Sequence, residues 1–136
     1  MAQDATAAIQ KSLADFVAAY NASNSAGIAN VFTEDAQFIT SDGPDVIGAE
    51  NIGSWYQSWF DQFIGEHTVT LDEIQVLGDW AFSRGPFTVK LTPKAGGELL
   101  HITGKWLAIN RVQPGGSWKI ARIIFNVPSG VQPPGK

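Results

Sequence analysis

The chain has no cysteine and only two histidines, His67 and His101, in 136 residues. Disulfides, thiol nucleophiles and cysteine-ligated zinc are excluded. Two imidazoles are too few for a metal constellation, so neither a metal nor a cofactor is expected. Long apolar runs are missing as well. Nothing approaches the roughly 18 consecutive apolar residues that cross a bilayer, and no membrane partner is expected. Charge is sparse, at 16% of residues, and bases are nearly absent from the first half. Twelve of the 13 acids lie in residues 1–79 beside a single base, Lys11, whereas eight of the nine bases lie in 80–136 beside a single acid, Glu98. In one domain this segregation points to ion pairing within the fold or between subunits, not to a nucleic-acid surface.

What the chain does have is aromatic rings: eight Phe, five Trp and two Tyr. "SWYQSWFDQF" (54–63) holds five of them, spaced so that a helix would carry a wide apolar stripe. Residues 4–22 read as an amphipathic helix capped by Asp4 and stopped by "NASNSAG", with a short helix over 28–32. A strand at 36–40, a turn at 41–45 and the brief return strand "VIG" precede the aromatic helix, about 48–63, ended by Gly65. Strands follow at 67–77, 80–92, 99–112 and 118–127, with a bulge expected at Gly85-Pro86 because proline cannot donate within a ladder. The pattern predicts one α+β domain spanning 1–136, with a core over about 4–127 and a loose tail at 128–136. The N-terminus has no signal-peptide apolar run, so the chain as written reads as cytoplasmic. "AQDA" also looks like what cleavage at a small-residue site leaves, which would make a processed 2–136 chain periplasmic or secreted.

Two segments carry a resemblance. "VFTEDAQFITSDGPDVIGAENI" (31–52) and "GKWLAINRVQPGGSWKIARIIFN" (104–126), with the element order, resemble the SnoaL-like proteins of the nuclear transport factor 2-like superfamily. The resemblance implies a cone-shaped fold, a curved antiparallel sheet wrapped around helices. It is nearly silent on activity, since similar proteins include isomerases, epoxide hydrolases, cyclases, dehydratases and non-catalytic assembly domains. A ketosteroid isomerase uses an Asp base with an oxyanion hole of Tyr and protonated Asp. Laid on this chain, those positions hold Thr40, Phe16 and Trp106 (or Lys105), so all three groups are missing. The Asp-Arg-Asp set of the epoxide hydrolases is not evident either. The remaining acid–base candidates are Asp42, two residues past the base position, and the hydroxyls of Tyr20 and Tyr56.

Strand alternation sorts the sheet into two faces. The inner face is expected to carry Ala81, Ser83, Gly85, Phe87, Val89 and Leu91, then Leu100 to Ala108 at every second position, then Ala121, Ile123, Phe125 and Val127. With the helices this gives an expected ligand-binding wall: Phe16, Tyr20, Phe38 and Thr40 from the first half; Trp55, Trp59 and Phe63 from the aromatic helix; and Ser83, Phe87, Trp106, Ile123 and Phe125 from the strands. Trp55, Trp59 and Phe63 are expected to face the sheet, with Tyr56 and Phe60 at the rim. Small residues at 81, 83, 85 and 104 are expected to leave space beside the rings. The outer face is expected to carry Trp80, Phe82, Arg84, His101, Lys105, Trp118 and Arg122 with Leu107, Ile109, Ile120 and Ile124. That mixture of apolar core and basic rim suits a homodimer interface. The functional expectation is a homodimeric binder of a small apolar molecule. The alternatives are an isomerase, cyclase or hydratase acting on a carbonyl or polyketide-like compound by acid–base chemistry, and a non-catalytic assembly module.

Overall fold

Asp4 starts the first helix: its carboxylate accepts the Thr6 N–H at 3.1 Å, and α1 runs Ala5–Asn21 with Ile9, Ser12, Phe16 and Tyr20 buried along one side. The computed structural model describes residues 4–40 and 43–126. The chain turns at Ser23, in the left-handed region. Asn24 then caps α2 (Ser25–Ala29) by accepting the Gly27 N–H. This cap places α2 three residues ahead of the expected 28–32, and releases Phe32 into the first strand. β1 (Phe32–Ile39) therefore starts earlier than expected, and β2 (Val46–Ile47) pairs back on it.

α3 (Ala49–Gln62) passes straight into β3 (Phe63–Val69) with no intervening turn. Gly65 does not end the helix. It lies within β3 beneath Tyr20, where an added Cβ would stand 2.7 Å from the Tyr20 ring. β4 (Glu73–Leu77), β5 (Trp80–Pro93), β6 (Leu100–Val112) and β7 (Trp118–Phe125) complete the sheet, so the expected single strand over 67–77 is two. The order is β2-β1-β7-β6-β5-β3, with β4 also on β5. All pairings are antiparallel except β1 with β7, so the sheet is mixed. α1 packs on β3, β4 and β7, and α3 on α2, β1, β2 and β3.

Two irregularities decide which side chains face the helices. Between Val69↔Phe87 and Glu73↔Arg84, three residues (70–72) stand opposite two, Gly85 and Pro86. The bulge thus sits across from Gly85-Pro86, not in it. Gly85 is needed because the Thr70 carbonyl occupies the place of its Cβ, and β5 keeps its alternation with Ala81, Ser83, Phe87, Val89 and Leu91 inward.

The second irregularity is in β7. Ile109 pairs with Arg122 and Asn110 with Ile120, leaving Ala121 as an extra residue. The bulge restores Ile123 and Phe125 to the inner face but brings Trp118 and Ile120 there too. Both had been expected outside. Trp118 is 7% exposed and packs with Ala8, Ile9 and Ala81 in a small second core. It is not available to the outer face. Trp80, Leu107 and Ile124 remain there, 43%, 40% and 47% exposed, with Phe82 half-buried and His101 and Lys105 exposed. Arg111 lies 4.7 Å over the Trp80 ring. Arg84 pairs with Glu73, and Arg122 donates to the carbonyls of Asp35 and Ala121. Among the described residues no helix is long and apolar enough to cross a membrane.

Candidate functional site

α1, α3 and the inner sheet face enclose a cavity of about 120 Å³. α1 contributes Phe16 and Tyr20, α3 contributes Trp55, Tyr56 and Trp59, and β1 contributes Phe38, with Thr40 just beyond its end. From the sheet come Ser83, Phe87, Trp106, Ile123 and Phe125, together with His67 of β3 and Asn110 of β6. The structure thus brings the expected wall residues together, with one exception. Phe63 does not border the cavity; it opens β3 and packs its ring 5.7 Å from that of Trp59.

The aromatic helix is rotated from its expected pose. Ile52, Tyr56 and Phe60 form its deeply buried stripe, Tyr56 and Phe60 at 7% and 3% exposure, whereas Trp55, Trp59 and Phe63 keep partial exposure. The cause is that α3 must satisfy α2 as well as the sheet. Gly53 faces Ala29 so closely that an added Cβ would lie 3.1 Å from it. Turning Gly53 to α2 swings Tyr56 and Phe60 inward, one position round from the expected stripe. Nor do all the small strand residues leave free space. The place beside Gly104 is filled by the Phe87 ring and the Asn126 carbonyl, and Ala81 belongs to the second core. Only Ser83 of that set borders the cavity.

The rings meet mostly edge to face, the favourable arrangement for aromatic quadrupoles. Tyr20 and Tyr56 are 5.9 Å apart at 88°, and Phe38 lies 4.8 Å from Trp55. His67 sits inside this network, with ring centroids 5.4 Å from Phe16, 4.8 Å from Tyr20 and 5.6 Å from Phe87. Its backbone is clamped to the end of α1, its N–H donating to Asn21 Oδ1 at 2.7 Å while Asn21 Nδ2 donates to its carbonyl. Burial among rings pushes the His67 imidazole down to about 4, against a smaller upward pull from the Thr68 backbone, so it is neutral at physiological pH. The same desolvation raises both Tyr20 and Tyr56, which stay protonated. No Asp, Glu, Lys or Arg among the described residues lines the cavity. Among the described lining residues, Asn110 Nδ2 donates to Ser83 Oγ at 3.0 Å. Asp42 lies outside the described residues. Among those residues, no three His or acidic side chains gather to hold a metal.

His67, Ser12 and Asn110 were not singled out from the sequence. For His67 a signal existed. If the strand begins at 63, Phe63, Gly65, His67 and Val69 alternate onto the face beneath α1. Beginning it at 67 hides that pattern. Chemically, the described residues offer an apolar, ring-lined space, a neutral imidazole and two un-ionised phenols, and none of them brings a charge to stabilise an oxyanion.

The model of the SnoaL-like domain matches residues 13–123. No curated protein matches the chain. Among solved structures, a conserved protein from Planctomyces limnophilus is 22% identical with a TM-score of 0.83, covering 90% of this chain and 97% of its own. A ketosteroid isomerase-like protein from Erwinia carotovora atroseptica is 24% identical with a TM-score of 0.80, covering 90% and 95%. A function-unknown protein from Mycobacterium tuberculosis is 27% identical with a TM-score of 0.79, covering 96% and 76%. Likeness at this level concerns the fold. With 111 of its residues inside the matching region, from 13 to 123, the chain belongs to the SnoaL-like domain family.

Proposed function

We propose that the protein binds a small apolar molecule in the cavity between α1, α3 and the sheet. The observation that carries this is a cavity of about 120 Å³ walled by rings and aliphatic groups, with no charged side chain among the described lining residues. Apolar cavities of roughly 150 Å³ stay dry and take up benzene, so the size suits one ring with few substituents. Trp55 and Trp59 line the cavity and are also partly exposed. The runner-up, acid–base catalysis on a carbonyl compound, is supported less. Tyr20 and Tyr56 are held un-ionised, and His67, although in its free-base form, is a weak base once burial lowers it to about 4, so the wall groups suit hydrogen bonding better than proton abstraction.

The test is thermal denaturation with toluene and indole. A ligand at 100 times its Kd stabilises by about 3 kcal/mol, a rise of several degrees in Tm for a domain of this size. Trp59→Ala should lower that ligand-induced rise beyond its own cost to the unliganded protein. If neither compound raises Tm, or the variant loses only baseline stability, these rings are core and not a binding wall.

The same protein is proposed to dimerise through the outer sheet face. Exposed Trp80, Leu107 and Ile124 form an apolar strip there, flanked by His101 and Lys105. Apolar centres containing an aromatic ring, with a polar rim, characterise protein interfaces.

A further inference from the structure

The cavity wall holds an excess of unanswered polar atoms. Five buried side-chain nitrogen or oxygen atoms have no hydrogen-bond partner among the described residues: Ser12 Oγ, Trp59 Nε1, His67 Nδ1, Trp106 Nε1 and Arg111 Nε. The first four belong to cavity-lining residues. Each such atom is costly to leave unmet, and native proteins rarely leave several together. Ser12 can relieve itself by turning its hydroxyl to a carbonyl of its own helix. The two indole N–H groups cannot, since they only donate. His67 Nδ1 donates or accepts according to tautomer.

We propose, resting on the binding function above, that the ligand is an uncharged ring compound bearing one oxygen function, a hydroxyl or a carbonyl, and that His67 is the side chain that receives this oxygen. An oxygen lone pair answers both indole N–H groups, the Ser12 hydroxyl, and His67 Nδ1 in the tautomer that carries its proton there. A hydroxyl or carbonyl suits His67 in either tautomer or one of them, whereas a pure hydrocarbon answers none. A carboxylate or ammonium is disfavoured because no opposite charge among the described lining residues compensates its desolvation. His67 is also the best-fixed of these groups. Its backbone is held at both polar atoms by Asn21, and its ring is bracketed by Phe16, Tyr20 and Phe87.

Binding of toluene, phenol, benzaldehyde, benzoate and benzylamine to the full chain tests this by titration calorimetry at pH 7.5. Phenol or benzaldehyde should bind about three- to tenfold tighter than toluene. His67→Phe, which keeps a ring in the aromatic cluster, should erase that preference, read as the ratio of phenol to toluene affinity within the variant itself. In the unaltered protein, phenol should also move the His67 imidazole 15N resonances and toluene should not, a readout that stands if the variant fails to fold. Toluene binding as tightly as both oxygen compounds, a preference that survives His67→Phe, or tightest binding of benzoate or benzylamine would each overturn the assignment. Failure of every ring compound to bind would instead overturn the binding function beneath it.

Discussion

Burying His67 among rings makes the fold sensitive to mild acid. The imidazole titrates near 6.5 in the unfolded chain and at about 4 in the fold, chiefly because burial disfavours its charged form. The titratable group packed against it is Tyr20, itself held neutral, and the other neighbours are Phe16 and Phe87. A depressed histidine pKa means the unfolded state binds the proton first. Its contribution is therefore complete above pH 6.5 and is lost progressively as pH falls toward 4. At about 1.4 kcal/mol per pH unit, the whole gap is worth about 3 kcal/mol, of which about 2 kcal/mol is gone by pH 5. Urea unfolding of the parent and His67→Phe at pH 8, 6.5 and 5 isolates this term, because carboxylate titration is common to both. The parent should lose about 2 kcal/mol more than the variant between pH 8 and pH 5. Parallel pH profiles would refute the account and place the His67 ring in contact with water.

Gly65→Ala should destabilise by about 1–3 kcal/mol in chemical denaturation, because the new methyl meets the Tyr20 ring and Leu91 beneath α1; a neutral outcome would mean that ring moves freely. Trp118→Ala should cost about 3–5 kcal/mol by emptying the second core around Ala8, Ile9 and Ala81. It should leave the association state unchanged; a shift in sedimentation without loss of stability would return Trp118 to the interface. Leu107→Lys on the outer face should reduce the mass seen in light scattering to the 14.6 kDa of one chain, with little change in monomer stability. A parent protein already at that mass would remove the proposed dimer.

The element order and most of the cavity wall were legible in the sequence, because both rest on periodicity. Rings at helical spacing on α1 and two-residue alternation along β5 and β6 specify a face without reference to distant residues. The errors arose where one element's position is decided by another. Trp118 reads as outward by strict alternation, and only the extra residue at Ala121 reverses it. α3 reads as a Trp55–Trp59–Phe63 stripe, and only its contact with α2 through Gly53 turns Tyr56 and Phe60 inward. The space beside Gly85 and Gly104 reads as empty, and only the crossing of Thr70 and Asn126 fills it. Bulges, helix rotation and backbone crossings are tertiary facts with weak local signatures.

The segregation of acids into the first half and bases into the second has a similar resolution. Two of the three ion pairs among the described residues, Glu73–Arg84 and Asp35–Arg111, join the acidic first half to the basic second half. All lie toward solvent, where such pairs contribute little stability. Their consequence is positional. Asp35 draws Arg111 to the outer side, where it covers Trp80, and the Asp35 carbonyl holds Arg122. The strong charges of β1, β5, β6 and β7 are thereby committed to the outer face, and the described residues lining the cavity keep only neutral polar groups. This places neutral hydrogen bonds, above all through His67, at the centre of ligand choice and leaves oxyanion stabilisation without a charged partner there. Moving one charge inward tests this division. Ser83→Asp introduces a carboxylate beside Asn110 with no cation nearby, and it should cost several kcal/mol at pH 8 and less as the acid protonates. A variant of undiminished stability at pH 8 would mean the cavity is wet enough to hold ions, and the case for a neutral ligand would fall with it.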